Sequence, residues 1–190
     1  NADYTVNEKS LQKLVEFNLE KGVNGFYVGG STGEGMLMSP EERKEVFRIV
    51  KKAAGARVDM IAHCGSVSTD DAISMAKEAE ALGYTAVSAV APYYYSFSYD
   101  AIRKYYDDMM SNVSLPMVIY NFPGGNGFTF TADIAAEIFK DERFIGIKHT
   151  STDLCALQQF KQRIERITVF NGFDEMCLGG LARGADGAIG

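Results

Sequence analysis

A lysine closes one of the most apolar runs of the chain, FIGIKHTS at residues 144–151. Side chains of a strand alternate, so Phe144, Gly146 and Lys148 are expected on one face and Ile145, Ile147 and His149 on the other. The branched pair suits a layer of helices. Gly146 leaves room on the opposite side, and Lys148 is therefore expected to point inward. Partial desolvation lowers an amine's pKa. A fall from ~10.4 to ~7–8 turns a protonated lysine into a usable nucleophile, able to form a Schiff base with a carbonyl. Taken alone, the strand favours a plainer fate, a lysine that snorkels from the strand end to solvent.

Other residues offer chemistry at similar places. GGSTGE at residues 29–34 supplies two hydroxyls, Ser31 and Thr32, and a glycine-rich turn with free backbone N–H groups, a setting for an anion such as a carboxylate. It lacks the G-K-[ST] of a nucleotide-binding loop, and a plain glycine-rich turn explains it equally well. Tyr120 could relay a proton, although a packed, hydrogen-bonded phenol is the commoner fate. Tyr93, Tyr94 and Tyr95 suit a substrate wall or, at least as well, a subunit contact. Asp174 and Glu175 suit polar recognition or the acidic first turn of a helix, with nothing to separate the two. His63 and His149 read as packed core residues, and the pairs Asp70-Asp71 and Asp107-Asp108 as solvated helix positions.

The elements that must position these groups alternate regularly. Apolar runs begin near Gly25, Val58, Ala86, Met117, Phe144, Thr168 and Ala185. They are continuous rather than alternating, as expected of parallel strands buried on both faces. Helices are predicted over residues 8–21, from Pro40, and over 68–82, 98–113, 131–140, 152–164 and 174–183. Ser39, Pro40 and Glu42 form a capping-box start. Gly22 and Gly83 supply helix stops.

Strand–helix alternation without a linker predicts one α/β domain over residues 1–190, a (β/α)8 barrel. The strand count is one short of eight. The expectation is a piece of barrel, strands two to eight, without the first strand and the C-terminal helices and with two unpaired edges. In such a barrel, residues that follow strands converge on one face. All the candidates above follow or end strands.

Composition narrows the function classes. The 190 residues are 46% hydrophobic with a formal net charge of −6. No basic cluster suggests nucleic acid, and no apolar run approaches the roughly 18 residues of a membrane span. Cys64, Cys155 and Cys177 lie in apolar segments without C-x-x-C spacing, which predicts reduced structural cysteines in a cytoplasmic protein. With two histidines far apart, no metal site is expected.

GGSTGEG, PYYYSFS, IYNFPG, GIKHTS and NGFDE, in this order and spacing across essentially the whole chain, resemble the N-acetylneuraminate lyase and dihydrodipicolinate synthase superfamily. Its members are class I pyruvate aldolases on (β/α)8 barrels, usually homotetramers, with the imine doing the work and no cofactor. The resemblance implies that Lys148 forms the Schiff base and that Ser31 and Thr32 bind the pyruvate carboxylate. It makes Tyr120 the proton shuttle, held by Ser31 or Thr32, and sends Tyr94 towards a neighbouring subunit's site.

Within that superfamily the synthases typically carry an arginine after the Tyr-Asn-x-Pro-Gly segment. Here Gly125 and Asn126 follow Gly124. The lyases' Gly-x-Asp-Glu element is present as Gly172, Phe173, Asp174 and Glu175, and Thr150 matches a substrate-contacting position. The resemblance thus implies retro-aldol cleavage of sialic acid to pyruvate and N-acetylmannosamine. Another pyruvate aldolase or dehydratase, or a catalytically silent sugar-binding homologue, is the alternative.

Overall fold

The computed structural model describes residues 5–190. In chain order the elements are α1 (Glu8–Glu20), β1 (Gly25–Val28), α2 (Pro40–Ala54), β2 (Asp59–His63), α3 (Thr69–Ala81), β3 (Ala86–Val90), α4 (Tyr99–Met110), β4 (Met117–Asn121), α5 (Pro123–Asn126), α6 (Ala132–Ile138), β5 (Phe144–His149), α7 (Leu154–Arg163), β6 (Thr168–Asn171), α8 (Cys177–Ala182) and β7 (Gly187–Ala188). The seven strands form one parallel sheet in sequence order. Each crossover carries a helix on the same outer side, so the sheet buries its outer face against them.

Local chemistry sets the helix starts. Ser39 Oγ accepts the Glu42 N–H, and Glu42 returns a bond to the Ser39 N–H, the expected capping box with Pro40 as the first helical residue. Ser68, Ser98 and Thr131 cap α3, α4 and α6 in the same way. The apolar stripes of α2, α3 and α4 pack on the sheet through Phe47, Met75, Ile102 and Tyr106, all at most 1% exposed. Two buried phenols on that layer are satisfied by carbonyls: Tyr84 donates to Phe47 and Tyr106 to Ala89.

Four sequence expectations change. Phe144 does not share a face with Gly146. Met117 pairs with Phe144 and Val118 with Gly146, so Ile145 is an extra, bulged residue. The bulge turns Phe144 outward, where it meets Tyr106 and Phe139, and leaves Ile145 partly exposed. Alternation is regular only from Gly146 onward. Gly146 admits close approach of a neighbour rather than opening a void, because a Cβ there would stand 2.8 Å from the Thr168 carbonyl oxygen. The helix expected over 174–183 begins as a tighter 3-10 turn, Asp174–Met176, before α8. Finally, Cys155 is exposed while Cys64 is buried, so the cysteines do not share one structural role.

The sheet is strongly curled. Three strands separate β1 from β5, which in a flat sheet would lie about 19 Å apart. Yet the ring of Tyr27 on β1 stands 4.5 Å from Lys148 Nζ on β5. Tyr27 also reaches across β2 to Ser88 on β3, hydroxyl to hydroxyl at 2.8 Å. The strands wrap around a concave inner face, and the inner side chains meet across it. β1 and β7 form the two ends of the sheet and do not pair with each other.

Candidate active site

The inner face at the C-terminal ends of the strands carries Tyr27, His63, Tyr120 and Lys148. Lys148 is 7% exposed. Among the described residues no carboxylate lies within ion-pair distance of it and no hydrogen bond holds it. Its Nζ lies 4.5 Å from the Tyr27 ring centre and 4.6 Å from that of Tyr120. Burial pushes its pKa down to about 8, partly opposed by the negative charge of Asp174. About a tenth of the amine is then neutral at pH 7, the form a nucleophile requires.

Tyr120 is 3% exposed and stacks on Phe122 with an interplanar angle of 4°. Its ring is edge-on to both Tyr27 and His63. Its hydroxyl makes no hydrogen bond to Ser31 or Thr32. The hydroxyl contact in this region belongs to Tyr27 and Ser88 instead. Ser31 and Thr32 sit exposed on the turn after β1. That turn is tightly specified. Gly29 has φ 76°, Glu34 is left-handed at φ 55°, and a Cβ on Gly35 would collide with the Gly29 carbonyl at 2.0 Å. Glu34 and Gly35 donate their N–H groups back to Ser31 and Gly30. The N–H groups of Ser31, Thr32 and Gly33 stay unpaired within the described chain, as an anion cradle needs.

Beneath this turn lies a cation that the sequence reading passed over. Arg43, on the buried side of α2, is 3% exposed. It donates Nη1–H to the Gly65 carbonyl at 2.8 Å and Nη2–H to the His63 carbonyl. His63 accepts the Val90 N–H at Nε2 and faces the Gly29 carbonyl with Nδ1, 3.2 Å away, which assigns the proton to Nδ1. Burial, reinforced by the charge of Arg43, pushes the His63 pKa down to about 3, so the ring is neutral. Arg43 and His63 thereby fasten the ends of β1, β2 and β3 to one another. As expected, His63 is structural in its contacts, and so is His149, which packs on Phe160, meets Asn121 at 3.0 Å and faces the Asp153 carbonyl.

On the other side of Lys148, Thr150 is buried and its Oγ1 has no hydrogen-bond partner. Gly172 makes room for that hydroxyl: a Cβ there would lie 1.9 Å from it. Asp174 and Glu175 are both exposed in the turn that follows β6, with Asp174 near enough for its charge to reach Lys148. Tyr94 stays outside this group. It is 87% exposed with φ 79°, edge-on to Tyr95, which is in turn edge-on to Phe97. Tyr27, Ser88 and Arg43 join the site without having been singled out from sequence. The signal for Tyr27 was its place at the end of the strand before GGSTGE, three residues ahead of Gly30.

Among the described residues there is no cluster of three or more His, Cys, Asp or Glu side chains able to hold a metal ion. No described helix is long and apolar enough to cross a membrane.

The chain matches a known family throughout. The family model "Dihydrodipicolinate synthetase family" fits residues 1–190. The chain belongs to the dihydrodipicolinate synthetase family. Within this family it is 41% identical to a protein named N-acetylneuraminate lyase from Pasteurella multocida, covering 100% of this chain and 65% of that protein. Superposition on N-acetylneuraminate lyase from Fusobacterium nucleatum gives a TM-score of 0.95 at 38% identity, covering 100% of this chain and 66% of the other. A dihydrodipicolinate synthase from Bacillus anthracis superposes as well, with a TM-score of 0.94, but at 27% identity, over 100% of this chain and 65% of its own. The family's fold is thus common to both activities, and sequence identity leans to the lyases. The chain spans just under two thirds of the length of these relatives.

Proposed function

We propose that the intact protein is a class I aldolase, an N-acetylneuraminate lyase that cleaves sialic acid to pyruvate and N-acetylmannosamine. One observation carries the reading: a buried, partnerless lysine with its pKa pushed down to about 8, at the inner end of a strand. Neutral Lys148 Nζ adds to the substrate's keto carbon. With one proton taken up from solvent, water leaves and the nitrogen becomes a protonated imine. The imine accepts the electron pair of the breaking carbon–carbon bond and becomes an enamine. Tyr120 takes the proton from the hydroxyl whose carbon becomes the aldehyde and returns it to the enamine carbon. Water then adds to the resulting protonated imine, and cleavage of the carbon–nitrogen bond releases pyruvate and restores the amine of Lys148. Ser31 and Thr32, with the free N–H groups of their turn, hold the carboxylate. Thr150, Asp174 and Glu175 bind the sugar hydroxyls, and Gly172 leaves room for the buried Thr150 hydroxyl.

The relatives' names and the absence of an arginine after Gly124 favour the lyase over a synthase. We also read residues 1–190 as part of one barrel domain that works as a cytoplasmic homotetramer. The exposed run of Tyr94, Tyr95 and Phe97 supports a subunit contact. Borohydride reduction of the intact protein with pyruvate, followed by peptide mapping, tests the chemistry. The expected adduct is on Lys148, and its absence there would sink the mechanism. Release of N-acetylmannosamine from sialic acid is expected to outpace condensation of pyruvate with aspartate semialdehyde. The opposite order would make the protein a synthase.

A further inference from the structure

We propose that Tyr27 is a further catalytic residue, whose ring face stabilises the positive charge that the Lys148 nitrogen carries as ammonium and as protonated imine. The inference rests on the Schiff-base reading above and adds a residue to it.

The geometry is that of a cation held between two aromatic rings, with Nζ 4.5 Å from the Tyr27 centre and 4.6 Å from Tyr120. Tyr120 already has a proton to move, whereas Tyr27 is fixed. Its hydroxyl bonds Ser88 Oγ at 2.8 Å, which ties β1 to β3. Gly30 lies against its ring so closely that a Cβ there would be 2.9 Å from two ring atoms. The ring cannot swing away, and the start of the anion-binding turn rests on it. The other groups facing Lys148 are His63 from β2, neutral and edge-on to Tyr120, and Asp174 from the turn after β6. Neither offers the nitrogen a bond. With no carboxylate at ion-pair distance and no hydrogen-bond partner for Nζ among the described residues, the two ring faces at 4.5 and 4.6 Å are the electron-rich surfaces the nitrogen meets.

The charge balance makes the idea specific. Below the lysine's pKa, adduct formation converts ammonium and ketone into protonated imine and water. Positive charge sits on nitrogen on both sides, so the Tyr27 ring helps both equally. Above the pKa, neutral amine, ketone and a proton give the protonated imine and water. Charge then appears only in the product, and the ring favours it. A residue with a merely structural role would affect both pH regimes alike.

The test uses the intact protein with Tyr27→Leu and Tyr27→Phe. Trace acetylation with acetic anhydride, read at the Lys148 peptide by mass spectrometry, titrates the amine without substrate. In Tyr27→Leu the midpoint is expected to fall by roughly one pH unit, and in Tyr27→Phe, which keeps the ring, by no more than a few tenths. Borohydride trapping at graded pyruvate should show unchanged apparent affinity at about pH 6 and about tenfold weaker affinity at about pH 9.5 in Tyr27→Leu. Should Tyr27→Leu fail to fold, a trifluorinated phenylalanine at position 27 keeps the shape and weakens the ring face. Its midpoint should fall in the same direction. An unmoved midpoint in the ring-deficient or fluorinated protein, or a loss of adduct equal at both pH values, overturns the proposal. Absence of any pyruvate adduct in the unaltered protein would instead overturn the aldolase reading, while acetylation still decides the role of Tyr27.

Discussion

Arg43 and Lys148 are both buried cations, one on α2 and one on β5, and the protein treats them in opposite ways. Arg43 spends its guanidinium on carbonyl groups, those of His63 and Gly65. Lys148 is given two ring faces and no hydrogen bond. Both terminal nitrogens of Arg43 find acceptors and only its Nε goes without one, as in a cation that holds structure together, whereas Lys148 has no hydrogen bond at all, as the proposed nucleophile needs. The difference separates a bonded cation from the proposed nucleophile. It can be broken by experiment from either side.

The largest effect is expected at Lys148. Lys148→Met should reduce release of N-acetylmannosamine from sialic acid by at least about a thousandfold, because no other amine lies at the site. The same change should stabilise the fold. With a folded pKa near 8 against an ordinary 10.5, the unfolded chain binds more protons between those values, so the unaltered protein gains stability as pH rises through that window. Below pH 8 the full cost is present, up to about 3 kcal/mol. Urea unfolding should therefore show Lys148→Met more stable by about 1–3 kcal/mol at pH 7, with the gain fading towards pH 10.5. A loss of stability at pH 7 would place Lys148 with Arg43 as a structural cation.

Arg43 should behave in reverse. Arg43→Met leaves the Gly65 and His63 carbonyls without their donors in a buried site, which is expected to cost about 2–4 kcal/mol in urea unfolding. Arg43→Lys, a single point donor in place of a fork, should recover only part of this. Pyruvate trapping by the folded fraction should persist in both. Were trapping abolished while stability held, Arg43 would belong to the chemistry.

What the sequence made legible follows the same division between local and assembled features. The capping box of Ser39 and Glu42 and the placement of candidate groups after strands depend on neighbours in the chain, and both appear as read. The face of Phe144 depended on register with β4, where a bulge at Ile145 reversed it. The importance of Tyr27 depended on curl, because nothing at residues 25–28 shows that β5 will come round to meet them. The partner of the Tyr120 hydroxyl was implied by resemblance, and in the structure Ser31 and Thr32 remain exposed and apart from it. Thr150 emerged more sharply than its motif suggested, because its buried, unpaired hydroxyl fits only where Gly172 has no side chain.

The smallest expected effect isolates what Asp174 does for Lys148. Its carboxylate is exposed and raises the lysine's pKa through space without touching it. Screened by solvent and salt, that influence should be worth a few tenths of a pH unit. Asp174→Asn is therefore expected to lower the Lys148 acetylation midpoint by that amount, in the same direction as Tyr27→Leu but less far. If Asp174 also accepts hydrogen bonds from sugar hydroxyls, KM for sialic acid should rise several-fold while pyruvate trapping near pH 7 barely changes, since pyruvate has no hydroxyl to offer it. A midpoint shift as large as that of Tyr27→Leu would mean that the lysine's charge is governed by a distant carboxylate rather than by the rings beside it, and the contrast with Arg43 would have to be redrawn as one of counter-charges.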